Sequence, residues 1–179
     1  MLTYKHPKAK TCEVCERVFV PDRMVQLVCR PACAMARVRN AKKAERESVR
    51  ARKEAIKSKA DWAREAQTAF NAWIRARDEG LPCISCGRHH QGQWHAGHYL
   101  STGARPELRY TESNVHRQCA PCNTHLSGNA VLYRIGLINR IGSDAVEWLE
   151  GPHELPKLTA DDYRAIRDTY RQKLKEIKP

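Results

Sequence analysis

The chain has 179 residues, with 32 Lys and Arg against 20 Asp and Glu, a formal charge of +12 and a pI near 9.5. That length suits one ordinary domain or two small ones, and the charge suits either a polyanionic partner or a plain solvated basic surface. No stretch approaches the ~20 consecutive apolar residues of a membrane span and no signal-peptide core opens the chain, so the expectation is a cytosolic protein with no membrane partner.

Residues 1–36 carry Cys12-x2-Cys15, a gap of thirteen residues, and Cys29-x3-Cys33. In a reducing compartment such spacing favours metal over disulfides, and four thiolates make the tetrahedral set of a structural zinc ion. With only Phe19, Val20 and Val28 to pack beneath it, this N-terminal four-cysteine zinc finger is read two ways. It is a DNA-contacting or junction-sensing module, or a staple for a terminus without a core, and in both cases zinc supplies folding energy directly.

Residues 37–79 contain no Gly or Pro and are rich in Ala, Arg, Lys and Glu. The pattern predicts one long helix, and a run of about 45 residues would extend roughly 70 Å, with a break near Ser58 left open. Between Arg37 and Lys59 ten basic residues face three glutamates, and Lys42, Lys43, Arg46, Arg50 and Lys53 are predicted DNA contacts. From Val49 a seven-residue repeat through Ile56, Ala63 and Phe70, joined by Ala60, Ala66, Trp73 and Ile74, gives an apolar face. Its partner is either the rest of the chain or the same helix of a second subunit.

Gly80 and Pro82 end that helix and open a core over residues 80–150. Cys83-x2-Cys86 and Cys119-x2-Cys122 supply a second zinc quartet, His98 lies between the pairs, and Asn123 follows the last cysteine. A helix is expected over Val131–Ile141, a break at Gly142-Ser143, and a short helix through Leu149. Residues 151–179 form a loop and a last helix opened by Thr159 as N-cap with Asp162 three residues on.

The C-x2-C…C-x2-C frame around WHAGHY and NVHRQCAPCN resembles the HNH, or ββα-metal, endonucleases. More narrowly, AGHY, LRY, NVHRQC, CN-x3-SGN and YR-x2-LI-x-RIG are similar to the NinG (Rap) recombination endonucleases of lambdoid phages, over roughly Trp62 to Ile141. The N-terminal cysteines and the charged C-terminal helix stand in matching places. The resemblance implies an α+β fold: a small zinc-bound ββα-metal (HNH-like) nuclease core with long flanking helices and the N-terminal finger. It also implies a metal-dependent endonuclease of phage recombination that cuts Holliday junctions, D-loops or other branched DNA. The catalytic set carried over is His98 as general base, Asn114 orienting the loop behind it, and Asn123 as ligand of a Mg2+ or Mn2+ ion.

A phosphodiester needs a base, positive charge on the departing oxygen, and alignment. His98 and one divalent ion meet those needs. The family's usual aspartate before the base is here Gly97, and between Cys83 and Asn129 the only carboxylates are Glu107 and Glu112. His95 is the substitute ligand. On a regular strand it points away from His98, although Gly97 permits a bulge that would change this. His116 is assigned to phosphate, base or metal, His89 and His90 to the exposed knuckle, and Arg105, Arg109 and Arg117 to phosphates. Two symmetric cuts at a branch point favour a homodimer. The alternative is a catalytically inactive two-zinc DNA-binding scaffold, supported by the missing aspartate, and no feature excludes RNA as the nucleic acid.

Overall fold

The computed structural model describes residues 8–177, mixing five helices with two small sheets in an α+β fold. Residues 1–7 of the expected finger segment lie outside the described residues. By its contacts the chain divides into two compact units, residues 1–57 and 58–179. The division falls inside the expected long helix, at the break near Ser58 that the sequence left open. Helix α1 (Pro31–Ala55) ends and α2 (Lys59–Arg77) begins afresh on Ser58. Ser58 Oγ accepts the Asp61 N–H at 3.2 Å and the Asp61 carboxylate accepts the Ser58 N–H at 2.9 Å, a reciprocal box that satisfies the first donors of a new helix. The seven-residue repeat is cut with it: Val49 on α1 and Ile56 just past its end are exposed, whereas Phe70 and Ile74 are fully buried on α2.

In the first unit β1 (Lys10–Thr11) pairs antiparallel with β2 (Val18–Phe19), and α1 starts with Pro31, whose fixed φ and missing N–H suit a first helical turn. Among its described residues only Cys12, Pro21 and Cys33 are buried. Val18, Val20, Met24 and Val25 stay largely exposed. Apolar burial on this scale cannot offset the entropy of ordering some fifty residues.

The second unit has a larger core. Helix α5 (Ala160–Ile177) packs along α2, starting from a Thr159–Asp162 capping box. Ala69, Phe70, Trp73, Ile74, Val115 and Tyr170 close over one another, with the Phe70 and Tyr170 rings edge to face at 4.7 Å. The apolar face of α2 is therefore covered within its own chain. The hairpin of β3 (Trp94–His98) and β4 (Val115–Cys119) lies against α2. A second cluster, Ile84, Leu108, Tyr133, Leu137, Val146 and Leu149, gathers α3 (Ala130–Ile141) and α4 (Ser143–Glu150).

Two polar ties fix the hairpin. Arg77 at the end of α2 donates to the carbonyls of Glu112 and Val115 at 3.0 and 2.8 Å, and the Asp78 carboxylate accepts the Arg117 N–H at 2.9 Å. Burial alone would raise the Asp78 pKa, but the Arg77 guanidinium and the Arg117 N–H outweigh it and hold the carboxyl ionised. On α3, the buried Tyr133 hydroxyl donates to the Gly97 carbonyl at 2.8 Å.

Candidate metal centres and active-site residues

Both cysteine quartets are assembled, each with its four sulfurs within 4.8 Å of one another. A tetrahedron with Zn–S bonds of about 2.3 Å has S···S edges of about 3.8 Å. The measured pairs bracket that edge: 3.4 Å for Cys15–Cys29, 3.8 Å for Cys29–Cys33 and 4.0 Å for Cys86–Cys119. Either set fits a zinc ion.

The two sites rest on one turn used twice. Cys12 N–H donates to Arg17 O and Glu16 N–H to Cys12 O. In the second unit Cys83 N–H donates to Arg88 O and Gly87 N–H to Cys83 O, the same offsets. The residue after the second cysteine is left-handed in both, Glu16 at φ 58° and Gly87 at φ 66°. The third cysteine then donates its N–H to the first sulfur at 3.4 Å in each quartet, Cys29 to Cys12 and Cys119 to Cys83. Burial opposes ionisation of Cys12 and Cys83, yet these converging N–H donors prevail and lower both thiols, Cys12 to about 6. Each quartet thus has one sulfur whose ionisation the backbone favours.

His98 is mostly enclosed, and its Nε2 lies 3.0 Å from the Arg109 carbonyl oxygen. A carbonyl only accepts, so Nε2 carries the ring proton and Nδ1 keeps its lone pair. Burial, with a smaller push from the Arg109 charge, lowers the His98 pKa against the opposing effect of that hydrogen bond, so the ring is neutral at pH 7. The loop carrying the Arg109 carbonyl is itself held by Asn114. This fully buried side chain accepts the Leu100 N–H at 2.9 Å and donates to Leu100 O at 3.0 Å and Leu108 O at 3.2 Å, pinning the loop between the strands.

His95 and Asn123 are also brought together. Asn123 sits on the single π-helical turn Pro121–His125, and its amide nitrogen lies 3.0 Å from His95 Nδ1. His95 Nε2 is buried with no hydrogen-bond partner. The cavity beside them, about 530 Å³, is lined by Asn71, Arg75, Gln93, Trp94, His95, Ala96 and Asn123. These lining residues include no carboxylate. Imidazole and amide donors suit a transition ion such as Mn2+ better than Mg2+, which prefers carboxylate oxygens.

The bulge that Gly97 would permit is absent. β3 and β4 pair one to one from Trp94↔Cys119 to His98↔Val115, so strand alternation sends His95 and His98 to opposite faces. Gly97 is required for another reason: a Cβ there would lie 2.1 Å from Gln118 Oε1 and 3.0 Å from its Cβ. The same crowding would strain an aspartate here, where the HNH pattern has one.

Other expectations fare unevenly. His116 is 4% exposed, its Nδ1 has no partner, and burial together with nearby Arg77 and Arg140 holds its pKa at about 3. It packs against the Tyr133 ring, buried away from solvent, so in this structure it does not stand open to a phosphate. Arg105 is committed to Glu107 and the carbonyls of Glu150 and Gly151, so its planar fork serves the fold and not a phosphate. Arg117 lies over the Trp94 ring at 3.9 Å, and Arg109 is half-buried. Lys42, Lys43, Arg46, Arg50 and Lys53 are all exposed on α1, with weak surface pairs Lys43–Glu47 and Arg50–Glu54. Sequence reasoning missed Asn71 and Arg75. Their signal was a polar row, Gln67, Asn71 and Arg75, at i, i+4 and i+8 beside the apolar face of α2.

A family model described as "Bacteriophage Lambda NinG protein" matches residues 4–179. The chain belongs to the NinG family. The relative "Protein ninG" of Escherichia phage 933W is 40% identical over 191 residues, covering 96% of this chain and 95% of that one. Its counterpart in Escherichia phage lambda is 39% identical over 193 residues with the same coverage, and that of Salmonella phage P22 is 40% identical over 185 residues, covering 93% and 91%. No solved structure matches. Among the described residues of this family member, no helix is long and apolar enough to cross a membrane.

Proposed function

We propose that this chain is a metal-dependent, structure-selective DNA endonuclease with an HNH-like ββα-metal core, acting on branched DNA in phage recombination. The observation that carries the reading is the His98–Arg109 contact, which leaves a neutral imidazole with its Nδ1 lone pair free. His98 takes the proton of the attacking water. Asn114 acts as a positioning residue by holding the loop whose carbonyl orients the ring. His95 and Asn123 are the groups that would hold the divalent ion: His95 Nε2, which has no other partner, would ligate it in the ring tautomer that carries its proton on Nδ1, with the Asn123 amide turned so that its oxygen faces that proton. When bound, such an ion supplies positive charge to the anionic diester and its departing oxygen. The exposed basic residues of α1 supply salt-sensitive affinity for phosphates.

A second reading, a two-zinc DNA-binding scaffold without nuclease activity, is favoured by one specific observation: the regular β3–β4 register turns His98 away from His95. One experiment separates them. The protein and its His98→Ala variant are incubated with a labelled four-way junction and a matched linear duplex, with Mg2+, Mn2+ or chelator. Mn2+-supported, junction-selective cutting lost in the variant establishes the nuclease. Its rate is expected to stay level at neutral pH and fall only below the ordinary histidine pKa of about 6.5, because His98 protonates late. Tight binding with no scission under any ion establishes the scaffold.

A further inference from the structure

Among the described residues the second quartet has a histidine neighbour and the first has none. His90 follows the Cys83/Cys86 knuckle, and its Nε2 lies 3.2 Å from Cys86 Sγ. The ring is held there, edge to face with Trp94 at 6.0 Å. Cys86 is the one sulfur-bearing residue of this quartet that is only half-buried, whereas Cys83, Cys119 and Cys122 are buried. His90 stands outside the tight set formed by the four sulfurs and meets this most accessible member. Among the described residues the first unit contains no histidine at all.

We propose that His90 is a reserve ligand of the second zinc site, guarding the Cys86 position. This rests on the reading of the quartet as a zinc site. With Cys86 in place, Nε2–H donates to the thiolate sulfur, spreading its charge and shielding it from electrophiles. When that sulfur is lost, the other ring tautomer presents the Nε2 lone pair to the vacated position. Zinc has no d-electron preference between four thiolates and three thiolates with one imidazole, so the exchange keeps a tetrahedral site. Cys83 differs: its sulfur accepts backbone N–H donors in the interior, and among the described residues no histidine is hydrogen-bonded to it.

The test is metal stoichiometry on the full chain, with cobalt(II) as the spectroscopic stand-in. Wild type and Cys86→Ala are expected to hold two ions per chain, whereas Cys86→Ala/His90→Ala and Cys83→Ala hold one. In Cys86→Ala the thiolate-to-cobalt band should fall by the share of one thiolate while the ion stays bound. His90→Ala alone should keep both ions but surrender one to a chelator about tenfold faster. Loss of the second ion from Cys86→Ala as complete as from the double variant overturns the proposal. So does an unchanged chelator rate in His90→Ala, a variant of a half-exposed side chain that leaves all eight cysteines in place. A wild-type chain that binds no ion lost on Cys83→Ala removes the zinc reading of this quartet and the reserve ligand with it.

Discussion

Among the described residues of the first unit only Pro21 joins Cys12 and Cys33 in the buried set, whereas Cys83, Cys119 and Cys122 are packed beside Trp94 and share their unit with two further apolar clusters. The turn that gathers the sulfurs is the same in both, down to the offsets of its hydrogen bonds. What differs is everything behind it. The comparison teaches that a cysteine knuckle specifies a local geometry with few residues, but whether metal is an accessory or a condition of folding depends on the apolar surface the rest of the unit can hide.

The strongest way to break this comparison is to remove metal. Chelation, or Cys12→Ala, should abolish ordered structure in residues 8–57, since the ligation energy of such sites, on the order of 10 kcal/mol, exceeds what its few apolar contacts supply. Helices α2 and α5 should persist, and hydrogen exchange read unit by unit decides the matter. Equal protection in the two units after chelation would end the argument. Next in size is Phe70→Ala, which empties the centre of the α2–α5 core and should cost about 3–5 kcal/mol. It should lower the thermal transition of the second unit while leaving the metal affinity of the first unchanged.

Gly97→Asp, which places an acidic residue where the HNH pattern has one, is expected to destabilise the hairpin by about 1–3 kcal/mol through collision with Gln118. Denaturant titration would measure this, and a stable variant with improved Mn2+ binding would show that the β3–β4 face yields more readily than its packing suggests. The smallest effect sharpens the comparison directly. Glu16 adopts at φ 58° the left-handed conformation that Gly87 adopts in the other knuckle, so Glu16→Gly should stabilise the first unit by about 1 kcal/mol. Gly87→Ala should weaken the second by a similar amount, both read as shifts in unfolding midpoint.

Much of the frame could be read from residue spacing. The quartets follow from cysteine intervals, and the last three helices follow from apolar periodicity with a glycine break at Gly142 and a capping box at Thr159. The break left open near Ser58 is decided by the Ser58–Asp61 capping box, since helix-forming composition on both sides does not by itself say whether the chain stops there. The candidate site was less legible because its chemistry depends on burial. His98 and His116 are both histidines of the same hairpin, and nothing in the local pattern says that one rests against a loop carbonyl while the other is sealed against Tyr133. Arg105 looked like a phosphate contact until the fold supplied Glu107, Glu150 and Gly151 as nearer partners. Gly97 suggested a bulge, and only the cross-strand neighbour Gln118 gives the actual reason for a residue without a side chain.

The Trp94 ring has His90 on its edge, the Arg117 guanidinium over its face and Cys83, Cys86, Cys119 and Cys122 as its neighbours. Indole emission is sensitive to adjacent cations and thiolates. A variant in which Trp62, Trp73 and Trp148 are replaced by phenylalanine would therefore carry a single optical reporter at the second quartet. Its fluorescence would follow the filling of that site alone, in real time and without a label, while the first unit stayed dark.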